Sequence, residues 1–297
     1  MSKVGFIGVG TMGCPMASNI LSKGNDLNFY DPYAQEDNKS KLLTLGGKHC
    51  LSIKDLLKDR DFVVTMLPNG NNVKDVCFNN DGLLNQEQKN YIFIDMSTIL
   101  PADSISINDK FKSNNISMFD APVARLVSNA IDGTLLIMVG GDKNKFDIIR
   151  PLLETMGSDV VYCGPNGSGS KMKIINNYMS IVSNIVTAES LALVKKSGID
   201  LNLAINLLTT TTAGKGHLNT SYPMKVLKND IDPGFKNTLA LKDLKLALEQ
   251  GEIDGIDLRT GKSALKNYED ADKTKYKDLD WTSMFNYIKE INNLDQN

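Results

Sequence analysis

Three glycines near the start of the chain have the spacing of a turn that holds a dinucleotide. Gly8, Gly10 and Gly13 in VGFIGVGTMG follow a short apolar run and precede a helical pattern. Glycines in a G-x-G-x-x-G turn let the backbone approach a pyrophosphate, and the N-terminus of the next helix supplies N–H donors. The residues expected to contact the cofactor here are Gly8, Gly10, Thr11, Met12 and Gly13. The alternative is a glycine-rich turn that binds nothing.

An aspartate at the end of the second apolar run indicates which dinucleotide is bound. Asp31 follows LNFY, at the distance usual for an acid that binds the ribose 2′-hydroxyl. A carboxylate there repels a 2′-phosphate, and the following Pro32–Tyr33 offers no arginine to bind one. The sequence therefore predicts NAD(H) rather than NADP(H). No metal is expected, because His49 and His217 lie far apart and form no cluster of metal ligands.

Two further apolar runs end in residues that belong to the same crevice. Ligands of parallel α/β sheets bind beyond the carboxyl ends of the strands. Leu67 and Pro68 follow the run VVTM, and Thr98 lies in FIDMST. We expect Leu67 and Pro68 to flank the adenosine, and Thr98 to reach the nicotinamide ribose. Ordinary strand-to-helix turns with a capping residue would explain each of them nearly as well.

One helical face in GPNGSGSKMKIINNYMS collects hydrogen-bonding groups. Lys173, Asn176, Asn177 and Ser180 occupy positions i, i+3, i+4 and i+7 of a helix that we expect to begin after Gly169. Reduction of a carbonyl by hydride needs a proton donor, and a lysine ammonium can both stabilise the developing alkoxide and protonate it. Lys173 is therefore the candidate acid in reduction and base in oxidation. A solvated surface helix is the alternative.

A lone arginine follows the strand-like run MFDAPVA. Arg125 stands between Ala124 and Leu126, and no acidic residue follows it until Asp132. A guanidinium without a neighbouring acid at a strand end suits the binding of an anionic substrate. The alternative is an ion pair with a more distant acid, such as Asp120 or Asp132.

The elements that must position these residues change in character along the chain. Up to about residue 163, short apolar runs alternate with helix-like stretches, which predicts a parallel sheet with helices on both faces. From Lys171 onward helical periodicity takes over. We therefore predict one domain over residues 1–164 and an all-helical domain over 165–297, which begins with a helix of roughly 25 residues. The predicted strands are Val4–Ile7, Leu27–Tyr30, Phe62–Met66, Tyr91–Ile94, Ser117–Ala121, Leu135–Val139 and Val160–Tyr162. The predicted helical stretches between them include Met12–Lys23, Ser52–Leu57, Pro101–Lys112 and Lys143–Met156.

The bulk composition argues against several classes of protein. A chain of 297 residues with 41% hydrophobic residues can bury a large core. The net charge of −2 gives no reason to expect a nucleic-acid partner. No run of 18 apolar residues is present, so no membrane span is expected. The four cysteines lack CxxC spacing, which favours reduced thiols in a cytoplasmic protein.

Together these motifs resemble the β-hydroxyacid dehydrogenase family, which includes 3-hydroxyisobutyrate dehydrogenase. The resemblance runs over essentially the whole chain, through GFIGVGTMGCPMASNI, DMST, DAPV, LALKDLKLAL and a G-x-G-x-x-x-K-x-x-N-N pattern that begins at Gly167. It implies an α/β Rossmann domain with a doubly wound, mostly parallel sheet, joined by a long helix to an all-α C-terminal domain. It also implies a homodimer or homotetramer, with Lys173 as the catalytic acid/base, Asn177 as a residue that orients the substrate, and Lys242 close to cofactor and substrate. Without the resemblance, Lys242 would be taken for an exposed lysine.

The residues after DAPV depart from the common family motif. Ser-Gly-Gly usually follows and holds a substrate carboxylate, whereas here the residues are Ala124, Arg125 and Leu126. TMLPNG, INNYMSI, TTAGKGH and the pair Arg125 and Asn129 are similar instead to the branch of the family that reduces 3-sulfolactaldehyde. The resemblance implies NADH-dependent reduction of this small anionic aldehyde to 2,3-dihydroxypropane-1-sulfonate, a step of sulfoquinovose breakdown. The residues expected to bind the substrate are Arg125, Asn129, Asn176, Asn177 and Ser180.

Two other functions are compatible with the sequence. One is a reductase of a carboxylate semialdehyde, such as succinic or tartronate semialdehyde, in which Arg125 holds the carboxylate. The other is a non-catalytic dinucleotide-binding module, since the family contains members that have lost the lysine; the presence of Lys173 argues against it. One arginine attracts sulfonate, phosphate and carboxylate alike, so the residues alone do not separate these anions.

Overall fold

The alternating apolar runs form a nine-stranded sheet in the computed structural model, which describes residues 1–211, 214–255 and 257–294. The strands are β1 (Lys3–Ile7), β2 (Asp26–Tyr30), β3 (Lys48–His49), β4 (Phe62–Thr65), β5 (Ile92–Asp95), β6 (Met118–Asp120), β7 (Val123–Ala124), β8 (Leu135–Gly140) and β9 (Gly157–Gly164). The first six are parallel and lie in the order β3-β2-β1-β4-β5-β6, which is the order of a Rossmann dinucleotide-binding fold. The predicted doubly wound, mostly parallel sheet is confirmed.

The antiparallel part of the sheet surrounds β8. Strands β6 and β7 pair with β8 in one antiparallel register, in which Asp120 is opposite Gly140 and Val123 is opposite Ile137. Strand β9 pairs with β8 in parallel. The short loop that carries the lone arginine therefore leaves the sheet directly beside β8 and β9.

Helices cover both faces of this sheet. Successive residues of a strand point to opposite faces, and the neighbours Val63 and Val64 accordingly lie in two different apolar cores. The helices of this part of the chain are α1 (Gly13–Ser22), α2 (Glu36–Thr44), α3 (Ile53–Leu56), α4 (Gly70–Phe78), α5 (Pro101–Ser113), α6 (Val127–Asp132) and α7 (Phe146–Leu153).

All seven predicted strands are present, with ends shifted by a few residues. Strands β3 and β7 were missed because two residues are too few to show an alternating pattern. Helices α2, α4 and α6 were not among the helical stretches named from the sequence. Helix α2 buries a single side chain, Leu42, so its sequence shows little apolar periodicity. The predicted helix Lys143–Met156 is a 3₁₀ turn, Lys143–Lys145, followed by the shorter α7.

The second half of the described chain is helical, as predicted. Its helices are α8 (Ser168–Lys196), α9 (Leu201–Thr210), α10 (Ser221–Met224), α11 (Asn237–Ile253), α12 (Arg259–Ala271) and α13 (Met284–Ile291). The core of this part contains the fully buried aromatic rings of Tyr222 and Tyr268. Among the described residues, no helix is long and apolar enough to cross a bilayer.

The chain divides into two compact units, Met1–Ile174 and Ile175–Asn297. The division falls inside α8, which has 29 residues. The predicted domain boundary at residue 164 coincides with the end of β9, four residues before α8 begins at Ser168.

Candidate active site

The glycine turn after β1 fits a dinucleotide. Gly8 has φ +92°, and a Cβ at this position would lie 2.4 Å from the carbonyl oxygen of Met66, so a side chain is excluded. A Cβ on Gly13 would lie 1.9 Å from the carbonyl oxygen of Gly8. A Cβ on Gly10 would have no described atom within 4 Å. The first and third glycines are thus required by the fold, and the second leaves open space in which a pyrophosphate can approach the backbone and the N-terminus of α1.

Two side chains fix the peptide groups of this turn. Asp31, which follows β2, accepts a hydrogen bond from the Val9 N–H at 2.9 Å through Oδ2 and one from the Tyr33 N–H at 2.9 Å through Oδ1. Asn38 on α2 donates from Nδ2 to the Val9 carbonyl at 2.8 Å. The predicted cofactor acid therefore lies beside the glycine turn. Asn38 was not predicted as a site residue, because the sequence of α2, which carries it, shows little apolar periodicity.

The carboxyl ends of β4 and β5 are tied together by one buried carboxylate. Asp95 Oδ1 accepts hydrogen bonds from the Thr65 hydroxyl at 2.8 Å and from the Ser97 N–H at 3.2 Å. The Ser97 hydroxyl in turn accepts from the Leu67 N–H at 2.9 Å. This network fixes the backbone at Leu67 and next to Thr98, two residues predicted to flank the cofactor. Their side chains are half-buried at this edge of the sheet, where the next residue after Leu67, Pro68, is exposed.

Burial raises the pKa of Asp95 to about 6, against hydrogen bonds from Ser97 and Thr65. A carboxyl whose pKa is higher in the folded than in the unfolded protein destabilises the fold as pH rises through the interval between the two values. Asp95→Asn should therefore become more stable relative to the wild type by about 2 kcal/mol between about pH 4 and about pH 7. Urea unfolding at both pH values measures this difference, with Asp109→Asn on the exposed side of α5 as the control. If the difference in free energy of unfolding between Asp95→Asn and the wild type were the same at both pH values, ionisation of Asp95 would not destabilise the folded protein.

A second buried carboxylate caps the long helix α8. Asp120, at the end of β6, accepts the Gly167 N–H through Oδ1 and the Ser170 N–H through Oδ2, each at 2.7 Å. Burial raises the pKa of Asp120, and these two N–H groups oppose the rise. The cap fixes the start of α8 to a strand end, and Lys173 lies on the next turn of the helix. This role of Asp120 was not predicted, because its partners are 47 and 50 residues away along the chain.

The polar face of α8 is the less exposed one. Asn177 is buried, and Lys173, Asn176 and Ser180 are half-buried. The opposite stripe is apolar and exposed; it comprises Met172, Ile175, Met179 and Val186, which are 41%, 59%, 73% and 55% exposed. A solvated surface helix would show the reverse arrangement. The helix also begins two residues earlier than predicted, at Ser168 rather than after Gly169.

Asn177 belongs to a hydrogen-bonded group with the start of α11. Its Nδ2 donates to Asp243 Oδ2 at 2.6 Å, and its Oδ1 accepts from Asn176 Nδ2 at 3.2 Å. The Lys242 ammonium lies 2.9 Å from Asp243 Oδ1 in an ion pair. Lys242, predicted from LALKDLKLAL, is thus held near Asn177 by Asp243, which was not predicted as a site residue.

His217, in the motif TTAGKGH, has a structural role. Its Nε2 lies 2.6 Å from the Ser180 carbonyl oxygen and its Nδ1 lies 3.1 Å from the Ser221 hydroxyl. Burial lowers the pKa of the ring, which favours the neutral form. A proton on Nε2 then donates to the carbonyl, and Nδ1 accepts from the hydroxyl. Residues 212 and 213 of the motif lie outside the described part of the chain.

Arg125 has several partners, so the expectation of an unpaired guanidinium was wrong. Its Nη1 donates to the Thr134 carbonyl at 2.7 Å and to the Ser158 hydroxyl at 2.9 Å. Its Nη2 lies 2.7 Å from Asp159 Oδ2. The Ser158 hydroxyl donates to that same carboxylate oxygen at 2.8 Å. The backbone at Arg125 is left-handed, with φ +86°, which is uncommon for a residue with a side chain.

The acid that pairs with the guanidinium is neither Asp120 nor Asp132. Strand pairing explains the choice: Ala124 lies opposite Leu136 on β8, and Leu136 lies opposite Asp159 on β9. The pairing of β7 with β8 and of β8 with β9 therefore brings Arg125 within reach of β9. The spacing of residues along the sequence does not identify Asp159 as the partner, because no local pattern shows how β7 and β9 are aligned with each other.

Asn129 shapes the loop that carries the arginine. Its Oδ1 accepts from the Leu126 N–H at 3.1 Å, and its Nδ2 donates to the Thr134 hydroxyl at 3.0 Å. Both polar groups of the amide are thus engaged within residues 126–134. The contact with substrate that was predicted for Asn129 stays a prediction.

One surface cavity lies away from these residues. It has a volume of about 540 Å³ and is lined by residues that include Asp61, Tyr91 and Ser117. These residues directly precede β4, β5 and β6, at the amino ends of the strands. Ligands of parallel sheets bind at the opposite edge, so we do not assign this cavity to the site. Within the described ranges, no three His, Cys, Asp or Glu side chains are grouped as metal ligands would be.

Family models match nearly the whole chain. Residues 3–164 match the NAD-binding domain of 6-phosphogluconate dehydrogenase. Residues 167–288 match the NAD-binding domain of NADP-dependent 3-hydroxyisobutyrate dehydrogenase.

Individual relatives agree with these family models. The 3-sulfolactaldehyde reductase of Escherichia coli K12 is 35% identical over 97% of this chain and 96% of its own length. The mitochondrial 3-hydroxyisobutyrate dehydrogenase of Mus musculus is 33% identical over 97% of this chain and 87% of its own. The structure of 3-hydroxyisobutyrate dehydrogenase from Mycobacterium tuberculosis with L-serine is similar with a TM-score of 0.87 at 29% identity, covering 97% of this chain and 99% of that one. The chain therefore belongs to the β-hydroxyacid dehydrogenase family of 3-hydroxyisobutyrate dehydrogenase type, and it is an NAD(P)-dependent oxidoreductase of the hydroxyacid and semialdehyde class.

Proposed function

We propose that this enzyme reduces 3-sulfolactaldehyde to 2,3-dihydroxypropane-1-sulfonate with NADH. The observation that carries the proposal is the guanidinium of Arg125, which stands where the common family motif has glycine. The 35% identity to the 3-sulfolactaldehyde reductase of E. coli supports the same substrate. A sulfonate has three oxygens around one permanent negative charge, which suits an arginine supported by neutral donors.

Arg125 can bind an anion although it is already paired. The Ser158 hydroxyl contacts both Nη1 and Asp159 Oδ2, so these partners close a ring at the Nη1–Nη2 edge of the guanidinium. The adjacent edge, formed by Nε–H and the second Nη2–H, has no acceptor among the described residues. Such an edge is a two-donor fork that binds two oxygens of one anion. The contacts on the first edge hold that fork in a fixed orientation.

Lys173 supplies the proton in the proposed reaction. A reduced nicotinamide cofactor held by the glycine turn would supply the hydride for the aldehyde carbon. As the carbon–oxygen double bond becomes a single bond, negative charge develops on the oxygen, and the Lys173 ammonium stabilises that charge and transfers one proton to the oxygen. The Asp120 cap holds the first turn of α8 and so supports the position of the lysine. In the reverse direction the neutral lysine would accept the proton from the alcohol.

Further residues of α8 and α11 are proposed to orient the substrate. Asn177 is held by Asp243, which fixes its amide and leaves its position independent of the ligand. Asn176 and Ser180 offer neutral hydrogen-bonding groups on the same side of the helix, and we propose that they complete the sulfonate site. We assign Lys242, paired with Asp243, to the surroundings of the cofactor and substrate.

The preference for NADH over NADPH rests on Asp31. Its carboxylate is held next to the glycine turn by the N–H groups of Val9 and Tyr33, and it remains able to accept from ribose hydroxyls. The helix that follows begins with two acids, Asp37 and Glu36, of which Glu36 is paired with Lys39, so the helix offers no net positive charge to a 2′-phosphate.

A steady-state comparison tests substrate and cofactor together. We expect kcat/KM for 3-sulfolactaldehyde to exceed that for tartronate semialdehyde and succinic semialdehyde by about tenfold or more, with NADH preferred to NADPH. Reduction of the sulfonate aldehyde no faster than the semialdehydes would overturn the proposal. Preferred reduction of a semialdehyde would support the second candidate, in which Arg125 holds a carboxylate; the relative solved with L-serine, itself a hydroxy acid with a carboxylate, favours that candidate.

Self-association, which the family resemblance implies, is proposed to use the apolar stripe of α8. The side chains of Met172, Ile175, Met179 and Val186 lie on one side of the helix and are exposed. An exposed apolar stripe of this kind is typical of a protein–protein contact. Light scattering at micromolar concentration measures the mass; a monomer would contradict the proposal.

A further inference from the structure

Asp159 places a fixed negative charge at the edge of the proposed anion site. Its carboxylate is 2.7 Å from Arg125 Nη2, and the side chains of Asp159 and Arg125 are 49% and 38% exposed. The hydrogen bond from the Ser158 hydroxyl, and next the one from Arg125, lower the pKa of the Asp159 carboxyl, so it is ionised at neutral pH. Among the described residues, Asp159 is the acid within ion-pair distance of this arginine.

We propose that Asp159 determines specificity by favouring singly charged over doubly charged substrate anions at Arg125. An anion on the Nε–Nη2 edge shares Nη2 with Asp159. The oxygens of the anion and those of the Asp159 carboxylate therefore lie about 5 Å apart. Coulomb repulsion is proportional to the charge of the ligand, so a dianion is repelled about twice as strongly as a monoanion. The attraction to the guanidinium is also about twice as strong for the dianion, so Asp159 cancels part of the electrostatic advantage that a dianion would otherwise have over a monoanion at this arginine.

Two three-carbon aldehydes provide the comparison. The chain of 3-sulfolactaldehyde ends in a sulfonate, which carries one negative charge at every working pH. Glyceraldehyde 3-phosphate has the same aldehyde and neighbouring hydroxyl but ends in a phosphate ester, whose second pKa is about 6, so that it is mostly a dianion at neutral pH. A reductase of the sulfonate must reject this phosphate, and Asp159 provides a physical means to do so. The inference deepens the proposed function and rests on it.

The test is a ratio of kcat/KM values for the two aldehydes. In Asp159→Asn, the ratio of phosphate to sulfonate should rise by about three- to tenfold at low ionic strength and neutral pH. A poorer orientation of Arg125 would weaken the attraction of the dianion at least as much as that of the monoanion, so it cannot cause a rise in this ratio. Asp147→Asn is the matched control, because Asp147 is likewise an exposed acid paired with an arginine, Arg150 on α7; its ratio should equal that of the wild type.

The pH dependence of the wild type provides a second measurement. Lowering the pH from about 7.5 to about 5.5 converts most of the phosphate ester to the monoanion, so the ratio should rise in the wild type and rise less in Asp159→Asn. An unchanged ratio in Asp159→Asn, or an equal change in Asp147→Asn, would overturn the inference while the sulfonate is still reduced. A chain that reduces no sulfonate aldehyde would overturn the proposed function itself.

Discussion

Lys173→Ala is expected to lower kcat by about 10²- to 10⁴-fold while the affinity for NADH stays unchanged. The reason is that the variant keeps the glycine turn, Asp31 and the rest of the cofactor-binding residues but has no group at this position to protonate the developing alkoxide. Steady-state assays give kcat, and titration of the NADH fluorescence gives the dissociation constant. The two measurements together separate a lost proton donor from a lost cofactor site.

Lys171→Ala is the matched control for that variant. Lys171 lies two residues earlier on α8 and is exposed, so its removal changes the charge of the helix without touching the less exposed face. Its kcat should equal that of the wild type. Turnover of Lys173→Ala at a tenth or more of the wild-type rate would assign the proton to another group. A wild-type chain that binds NADH yet reduces none of the aldehydes would instead support the non-catalytic module.

Arg125→Gly is expected to raise KM for 3-sulfolactaldehyde by about 10²-fold, with a much smaller effect on kcat. Two charge-assisted hydrogen bonds to one anion are together worth about 3 kcal/mol, which corresponds to that factor. Glycine is the suitable replacement, because the backbone at this position has φ +86° and glycine adopts it without strain. The effect therefore reports the lost side chain and not backbone strain at this position.

An uncharged substrate separates anion binding from general damage. KM for glycolaldehyde, which carries no anion, should change little in Arg125→Gly. Arg150→Ala serves as the matched variant, since Arg150 is another partly exposed arginine of the same unit that is paired with an acid, Asp147. If KM for the sulfonate stayed at the wild-type value in Arg125→Gly, the anchor would lie elsewhere in the protein.

Sequence patterns predicted the parts of the site whose signals are local. The glycine turn spans six residues, and its spacing reflects steric limits of the backbone that are the same in every protein with this turn. The polar face of α8 was predicted because positions three and four residues apart share a side of any helix. The exposure of the apolar stripe on the opposite side of α8 could not be predicted, because periodicity distinguishes two faces of a helix but does not show which of them is buried.

The supporting residues could not be predicted in this way. Asn38, Asp120 and Asp243 each hold a predicted element through a hydrogen bond to a residue at least 29 positions away. Aspartate and asparagine occur in many turns, so their type alone does not mark them as partners. Their roles depend on which strand ends and helix starts become neighbours when the chain folds.

The sequence by itself determined the fold class and the family, because periodicity, glycine spacing and motif order are properties of the chain that need no long-range contact. Tertiary structure alone decided the environment of Arg125. Ala124, Leu136 and Asp159 become neighbours when three strands pair, and that pairing gives the arginine an acidic partner on one edge and leaves the other edge for an anion. The residues alone do not separate sulfonate from phosphate; the charge of Asp159, placed by the sheet, supplies a physical reason for the choice.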